Sequence, residues 1–109
     1  MNAQEPPYLY LTTTGWKSGK PHQIEIWFIE QDGRYYLSSD GGYKAHWVQN
    51  LQRHPAITFQ VGTKNAPMRA AQGRVISNLE TDLLDIIKAR FDAKYQWSGG
   101  LMVELTPAA

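Results

Sequence analysis

His22-Gln23-Ile24-Glu25-Ile26-Trp27-Phe28-Ile29-Glu30-Gln31, then Asp32-Gly33, then Arg34-Tyr35-Tyr36-Leu37-Ser38-Ser39, is the stretch on which the fold turns. It is rich in β-branched and aromatic residues, which fit a pleated surface. Alternate residues of a strand share a face. One face carries Ile24, Ile26 and Phe28, and the other carries Glu25, Trp27 and Ile29. Apolar groups on both faces predict a central strand over 22–31, covered on each side. Asp32-Gly33 is a strong hairpin dipeptide, and 34–39 is the return strand.

The flanking sequence extends this pattern. Residues 8–14, rich in Tyr, Leu and Thr, form an earlier strand. A turn over 15–21 follows, with two glycines, two lysines and a proline. After 39, Gly41-Gly42 gives a loop its backbone freedom. Residues 44–53 predict a short helix with Trp47, Val48 and Leu51 on one face, ended by Pro55. Strands follow over 56–61 and 67–76, around a turn at 62–65. Ser77 and Glu80 have capping-box spacing. The helix that follows runs to 94, with Leu83, Leu84, Ile87 and Phe91 as its buried stripe. A loop at 98–100 leads to a last strand over 100–106. The expected fold is α+β: a six-stranded antiparallel split β-barrel with two flanking helices. It is not a doubly wound sheet, which would alternate strand and helix throughout.

The 109 residues fit one domain over 1–109. So small a domain has little core to give up to a ligand cavity. A cleft shared between two copies is less damaging, which predicts a homodimer. Charge is balanced, with 11 Lys and Arg against 10 Asp and Glu. A polyanion-coating protein usually shows a basic excess, so no nucleic-acid partner is expected. There is no cysteine, hence no disulfide framework or thiolate nucleophile. Residues 1–7 are polar and lack a signal-peptide core, and no stretch nears the roughly 20 apolar residues of a membrane span. A cytoplasmic protein is expected. Four Trp and six Tyr are many for this length. Most should fill the core and sheet, leaving two or three for a planar ligand.

Thr12-Thr13-Thr14-Gly15-Trp16-Lys17-Ser18-Gly19-Lys20-Pro21 is the segment best equipped for an anion. Glycines allow close approach, and successive backbone N–H groups can form a concave anion site. Hydroxyls and two lysines add donors and charge. It is not a Walker loop: the spacing is one residue short, and no Ser or Thr follows Lys20. A solvated basic turn is the plain alternative. His22, His46 and His54 match no triad, and His46 and His54 stand eight apart, outside metal-box spacing. Each is expected to be a surface or hydrogen-bonding residue, and no metal site is predicted. Glu25, on a strand expected to be central, has either a functional role or an ion pair with a nearby Lys or Arg. The ion pair is favoured.

Leu11-Thr12-Thr13-Thr14-Gly15, Lys17-Ser18-Gly19 and Pro21 resemble the entry motif of the deazaflavin-dependent nitroreductase family. Asp32-Gly33-Arg34-Tyr35-Tyr36, Ser39, Gly41-Gly42, Trp47, Asn50-Leu51 and Pro55 follow in the family's order, and Tyr95 and Trp97 resemble its aromatic C-terminal segment. The set covers most of residues 9–106. The resemblance implies a split β-barrel related to pyridoxamine-phosphate oxidases, a homodimer, and coenzyme F420 in a groove by the barrel. FMN is the alternative cofactor in the wider superfamily, and some members bind haem. Carried over by position, Lys17, Ser18, Gly19 and Lys20 would lie near the phosphate or acidic tail. Glu25 and Trp27 would lie beside the ring. Ser39, Gly41 and Gly42 would border it, with Trp47 and Asn50 from the short helix. Tyr95 and Trp97 would shape the substrate side. Trp16, His22 and Asp40 depart from the family, standing where Arg, Arg and Lys are frequent, which removes three anion contacts; Lys44 or Arg53 would have to compensate.

The reaction this implies is two-electron reduction of a planar, electron-poor small molecule such as a quinone or nitroaromatic. Tyr95 would be the catalytic hydrogen-bond donor to developing negative charge. The alternative is a non-catalytic FMN- or haem-binding carrier or sensor of the same fold.

Overall fold

A computed structural model of the chain describes residues 5–108. Seven strands and two helices follow one another: β1 (Leu9–Thr14), β2 (Pro21–Ile26), β3 (Phe28–Gln31), β4 (Arg34–Ser39), α1 (His46–Arg53), β5 (Ala56–Val61), β6 (Arg69–Val75), α2 (Thr81–Tyr95) and β7 (Leu101–Pro107). All strands join one antiparallel sheet in the order β2-β1-β5-β6-β7-β4-β3. The two edge strands are therefore consecutive in sequence, and the sheet curls until its edges meet at Trp27.

The expected strand over 22–31 is thus two strands, making seven instead of six. Before Trp27 the chain pairs with β1, with Ile26 opposite Leu9. After it, the chain pairs with β4, with Phe28 opposite Leu37. The break is held from α2. The Phe28 N–H donates to Tyr95 Oη at 3.0 Å, and the Phe28 carbonyl accepts from Lys94 Nζ at 2.8 Å. Side chains thereby satisfy backbone groups that a continuing strand would have paired, as buried backbone requires. The central-strand expectation is corrected too: β2 is an edge strand, with Pro21, His22, Gln23 and Glu25 exposed.

Asp32-Gly33 forms the expected turn. Both residues have positive φ, 54° and 80°, as a type I′ hairpin requires, with Gln31 opposite Arg34.

The core has two parts. Leu9, Leu11, Phe28, Leu37, Phe59, Val103 and Leu105 fill the inside of the curl, with Leu51 entering from α1. Ile29, Tyr36, Ile76 and Met102 line the outer face, where Ile87 and Phe91 of α2 cover them. The two-faced pattern of 28–29 is thereby explained. α2 begins at Thr81 because only half of the capping box forms: Glu80 accepts the Ser77 N–H at 2.8 Å, while Ser77 Oγ accepts from Leu79 N–H.

Tyr36, Glu104 and Arg74 are direct neighbours across β4, β7 and β6. Glu104 is buried; it accepts from Tyr36 Oη at 2.8 Å and from Arg74 Nε at 2.8 Å. Arg74 also makes a two-pronged pair with Glu80, at 2.8 and 2.9 Å.

Gly73 lets α1 reach the sheet. A Cβ there would stand 2.5 Å from Leu51 Cδ1 and 2.8 Å from its Cγ, and Leu51 is fully buried. Gly73→Ala is expected to destabilise by roughly 1–3 kcal/mol, read as a lower urea midpoint with unchanged slope.

Candidate functional site

Among the described residues β2 has a partner on one side only, so its other edge leaves backbone N–H and C=O groups unpaired there. Two grooves lie along this strand. The first, about 470 Å³, lies between the β1–β2 turn and α1. Gly15, Trp16, Lys17, Ser18 and His22 line one wall; His46, Trp47, Gln49 and Asn50 line the other. The second, about 490 Å³, continues where β2 leaves the β3–β4 hairpin. Glu25, Ile26 and Trp27 face Ser38, Asp40 and Trp97 across it.

The turn is rigidly built. Gly15 N–H donates to the Lys20 carbonyl at 2.8 Å, and Gly19 N–H to the Gly15 carbonyl at 2.8 Å. Lys20 N–H donates to Ser18 Oγ at 3.2 Å, and Trp16 N–H to Asn50 Oδ1 at 3.0 Å. Gly19 takes a φ of +71°, which suits glycine. Among the described residues, the N–H groups of Lys17 and Ser18 have no acceptor in the chain. Gly15 lets Ser18 and His22 close in on the turn: a Cβ there would meet Ser18 Oγ at 2.6 Å and His22 Nε2 at 2.7 Å. Two adjacent N–H donors, a hydroxyl and an ammonium suit an oxyanion.

Trp16 carries no charge itself yet gathers cations. Lys17 Nζ lies 4.8 Å from its ring centroid and the Arg53 guanidinium 5.0 Å. Arg53 therefore brings positive charge to the mouth of this groove. Asn50 is buried and ties turn to helix, accepting from Trp16 and donating to Thr13 Oγ1 at 3.2 Å.

In the second groove Trp27 is 46% exposed, a large exposure for an indole that touches two other aromatic rings. Tyr95 stacks parallel to it at 4.3 Å, and Trp97 meets it edge-on at 6.3 Å. The Tyr95 hydroxyl lies within 2.6 Å of the Pro7 carbonyl and 2.9 Å of the Phe28 carbonyl, and accepts the Phe28 N–H. Burial pushes its pKa up to about 12. Lys94 stands beside it, bridging Glu5 at 2.6 Å, the Pro6 carbonyl and the Phe28 carbonyl; burial pulls its pKa down, opposed by Glu5.

The structure thus brings Lys17, Ser18, Trp47 and Asn50 together in one groove, and Glu25 and Trp27 in the next. Gly19 and Lys20 close the turn without lining either. Ser39 is buried, its hydroxyl donating to the Gly42 carbonyl at 3.0 Å. Ser39, Gly41 and Gly42 shape the bend beside Asp40. Tyr95 lies behind Trp27, outside the lining of either groove. Glu25 has no ion pair among the described residues; its partner is Tyr10, whose hydroxyl donates at 3.1 Å. The expected Lys or Arg partner is corrected accordingly. His22 and His46 were not expected in a site, yet both line the first groove. The available signal was position: His22 is the second residue of β2, directly opposite Thr13 and next to the turn.

A family model described as F420H(2)-dependent quinone reductase matches residues 1–97. The chain belongs to this family. As an F420H(2)-dependent quinone reductase family member it is an oxidoreductase, and its cofactor is coenzyme F420. The resemblance read from the turn and the Asp32-to-Pro55 motifs agrees with that membership. Similar folds occur in an F420-H2 dependent reductase (22% identity, 96% of this chain, 98% of that one, TM-score 0.64). They also occur in a putative pyridoxamine 5'-phosphate oxidase from Listeria innocua (12%, 94% and 85%, 0.72). A heme storage protein from Vibrio cholerae shares the fold as well (18%, 97% and 84%, 0.69). The turn, with two free N–H donors and flanking cations, fits the anionic end of an F420 family member's coenzyme.

Proposed function

We propose that the protein reduces planar, electron-poor small molecules such as quinones or nitroaromatics, in the cytoplasm and as a homodimer. The observation that carries this reading is the pair of acceptor-free N–H groups at Lys17 and Ser18, set at the head of a cleft that runs along an unpaired strand edge. The phosphate and acidic tail of the coenzyme lie at the turn, held by Lys17, Ser18 and the cations around Trp16. Trp47 walls the ring, and the free edge of β2 offers backbone hydrogen bonds to it. When bound, the reduced coenzyme supplies a hydride. The chain binds, orients and excludes water. Trp27 and Trp97 present flat apolar surface for the acceptor, and Tyr95 holds Trp27 in place.

Equilibrium titration with coenzyme F420 tests this. Lys17→Ala combined with Arg53→Ala, the two cations on Trp16, is expected to weaken binding roughly tenfold, about 1.4 kcal/mol, as befits charge-assisted contacts near a surface. Titration with FMN is expected to respond less, because FMN has one phosphate and no acidic tail. Unchanged F420 dissociation constants would remove the anchoring role. Light scattering across a concentration series tests the homodimer; a constant monomer mass would exclude it.

A second reading, a non-catalytic FMN or haem carrier, draws on His22 and His46 in the first groove, since imidazole is a common haem ligand. A haem band in the visible spectrum of freshly purified protein would favour it; F420-dependent turnover would exclude it.

A further inference from the structure

We infer that the second groove selects planar organic cations as hydride acceptors. The inference rests on the coenzyme lying in the cleft along β2, and concerns the charge of the molecule beside it.

Three observations on this groove converge. Its flat surface is indole, with Trp27 half exposed, backed by the parallel ring of Tyr95 and met edge-on by Trp97. Indole faces attract cations more strongly than other aromatic rings do. Its charged groups are both carboxylates, Glu25 on one wall and Asp40 on the other, and neither is in an ion pair among the described residues. Its nearby hydroxyls are committed elsewhere: Ser38 Oγ donates to the Gly99 carbonyl at 2.6 Å, the Tyr95 hydroxyl sits against the Pro7 and Phe28 carbonyls, and the Tyr10 hydroxyl donates to Glu25 itself at 3.1 Å.

The last observation separates two kinds of acceptor. A quinone or nitro group needs a hydride and a proton. A planar N-alkylated heteroaromatic cation needs only the hydride. It takes the hydride at an electron-poor ring carbon, where one C–H bond forms and the positive charge is cancelled. One C–H bond of the coenzyme breaks, and one proton is released to solvent. The groove favours the second case within the planar, electron-poor class: it attracts the cation and is asked for no proton, whereas a quinone there takes its proton from solvent. Once neutral, the product loses the attraction of Glu25 and Asp40, which favours its release.

The test uses protein saturated with oxidised coenzyme F420 and reads tryptophan fluorescence quenching by two ligands of matched shape, N-methylacridinium and uncharged acridine, at about pH 8. The cation is expected to bind about tenfold more tightly, and Glu25→Gln with Asp40→Asn to reduce that ratio to about twofold or less. Both side chains are exposed, so the variant is expected to fold. With reduced coenzyme, turnover of N-methylacridinium is expected to show no solvent deuterium effect on kcat. Equal binding of the two ligands, or a preference that survives in the double variant, would overturn the inference. Loss of the Lys17 effect on F420 titration would instead overturn the placement of the coenzyme, and leaves the fluorescence comparison to be judged by itself.

Discussion

Arg74→Ala is expected to destabilise the protein by about 3 kcal/mol, because it leaves the buried Glu104 carboxylate without its cation. Tyr36 remains as a hydrogen-bond donor, and the Arg74 side chain is 48% exposed, so water reaches part of the gap. These facts place the effect below the upper end for buried pairs. For a domain of this size the melting temperature is expected to fall by roughly 10–20 °C. Replacing Arg74 by Met and Glu104 by Leu together should recover much of the loss, since no buried charge is then stranded. A single-variant loss under about 1 kcal/mol would show that the network is solvated.

The same arginine sets the response to acid. Arg74, then the Ser77 N–H, holds the Glu80 carboxyl down, from the usual 4.5 to about 2. A carboxyl whose folded value is depressed stabilises the fold above its unfolded value, and that stability is lost as pH falls. The loss is expected between about pH 4.5 and 2, and Arg74→Ala should flatten this part of a stability-against-pH curve.

Tyr95→Ala is expected to lower stability by about 3 kcal/mol through the lost ring and the cavity it leaves. Tyr95→Phe keeps the ring and strands the Phe28 N–H, for about 1 kcal/mol. The difference between them measures what the ring contributes through its stack on Trp27, its contact with Phe91 and the space it fills. In the alanine variant the indole loses its parallel partner, so its emission should shift and KM for a planar acceptor should rise more than kcat falls. In Tyr95→Phe both constants should stay near wild type. A large loss of kcat in Tyr95→Phe, with KM unchanged, would restore a catalytic hydroxyl. Burial and, for Tyr36, the Glu104 carboxylate raise both tyrosines to about 12. A raised folded value means stability that is present below the unfolded value, 10.0, and lost as pH rises towards 12. Urea midpoints should fall across that window, less steeply in Tyr95→Phe.

Local chemistry was legible in the sequence. Asp32-Gly33 needs no distant partner to turn the chain, so β4 lies where the hairpin placed it, and β5 lies where the spacing of Ile57, Phe59 and Val61 placed it. The Gly15–Lys20 turn was found from its composition, since glycine, lysine and hydroxyls act there through their own backbone and charge. The break at Trp27 was not legible. Apolar residues continue through it without a glycine or proline, and its cause lies 66 and 67 residues away, in Lys94 and Tyr95. Without that break, Glu25 appeared to be in a central strand when it is on an edge. Tyr95 likewise could be placed near the site by resemblance, but which way its hydroxyl turned depended on where residues 5–7 lay. The contribution of Trp16 was hidden because a neutral ring carries no charge in sequence, whereas in space it collects Lys17 and Arg53.

The strand order carries a consequence for synthesis. β7 is the last strand in the sequence, yet it stands between β6 and β4. Until it emerges from the ribosome, the nascent chain can form only two separate fragments, β2-β1-β5-β6 and β4-β3, each with one border, β6 or β4, open in addition to the edge strand that the finished sheet keeps. Those borders can recruit other chains. The protein's vulnerability to aggregation is therefore concentrated in the interval before residues 101–107 arrive, and a chaperone that shields β6 and β4 would act in that interval.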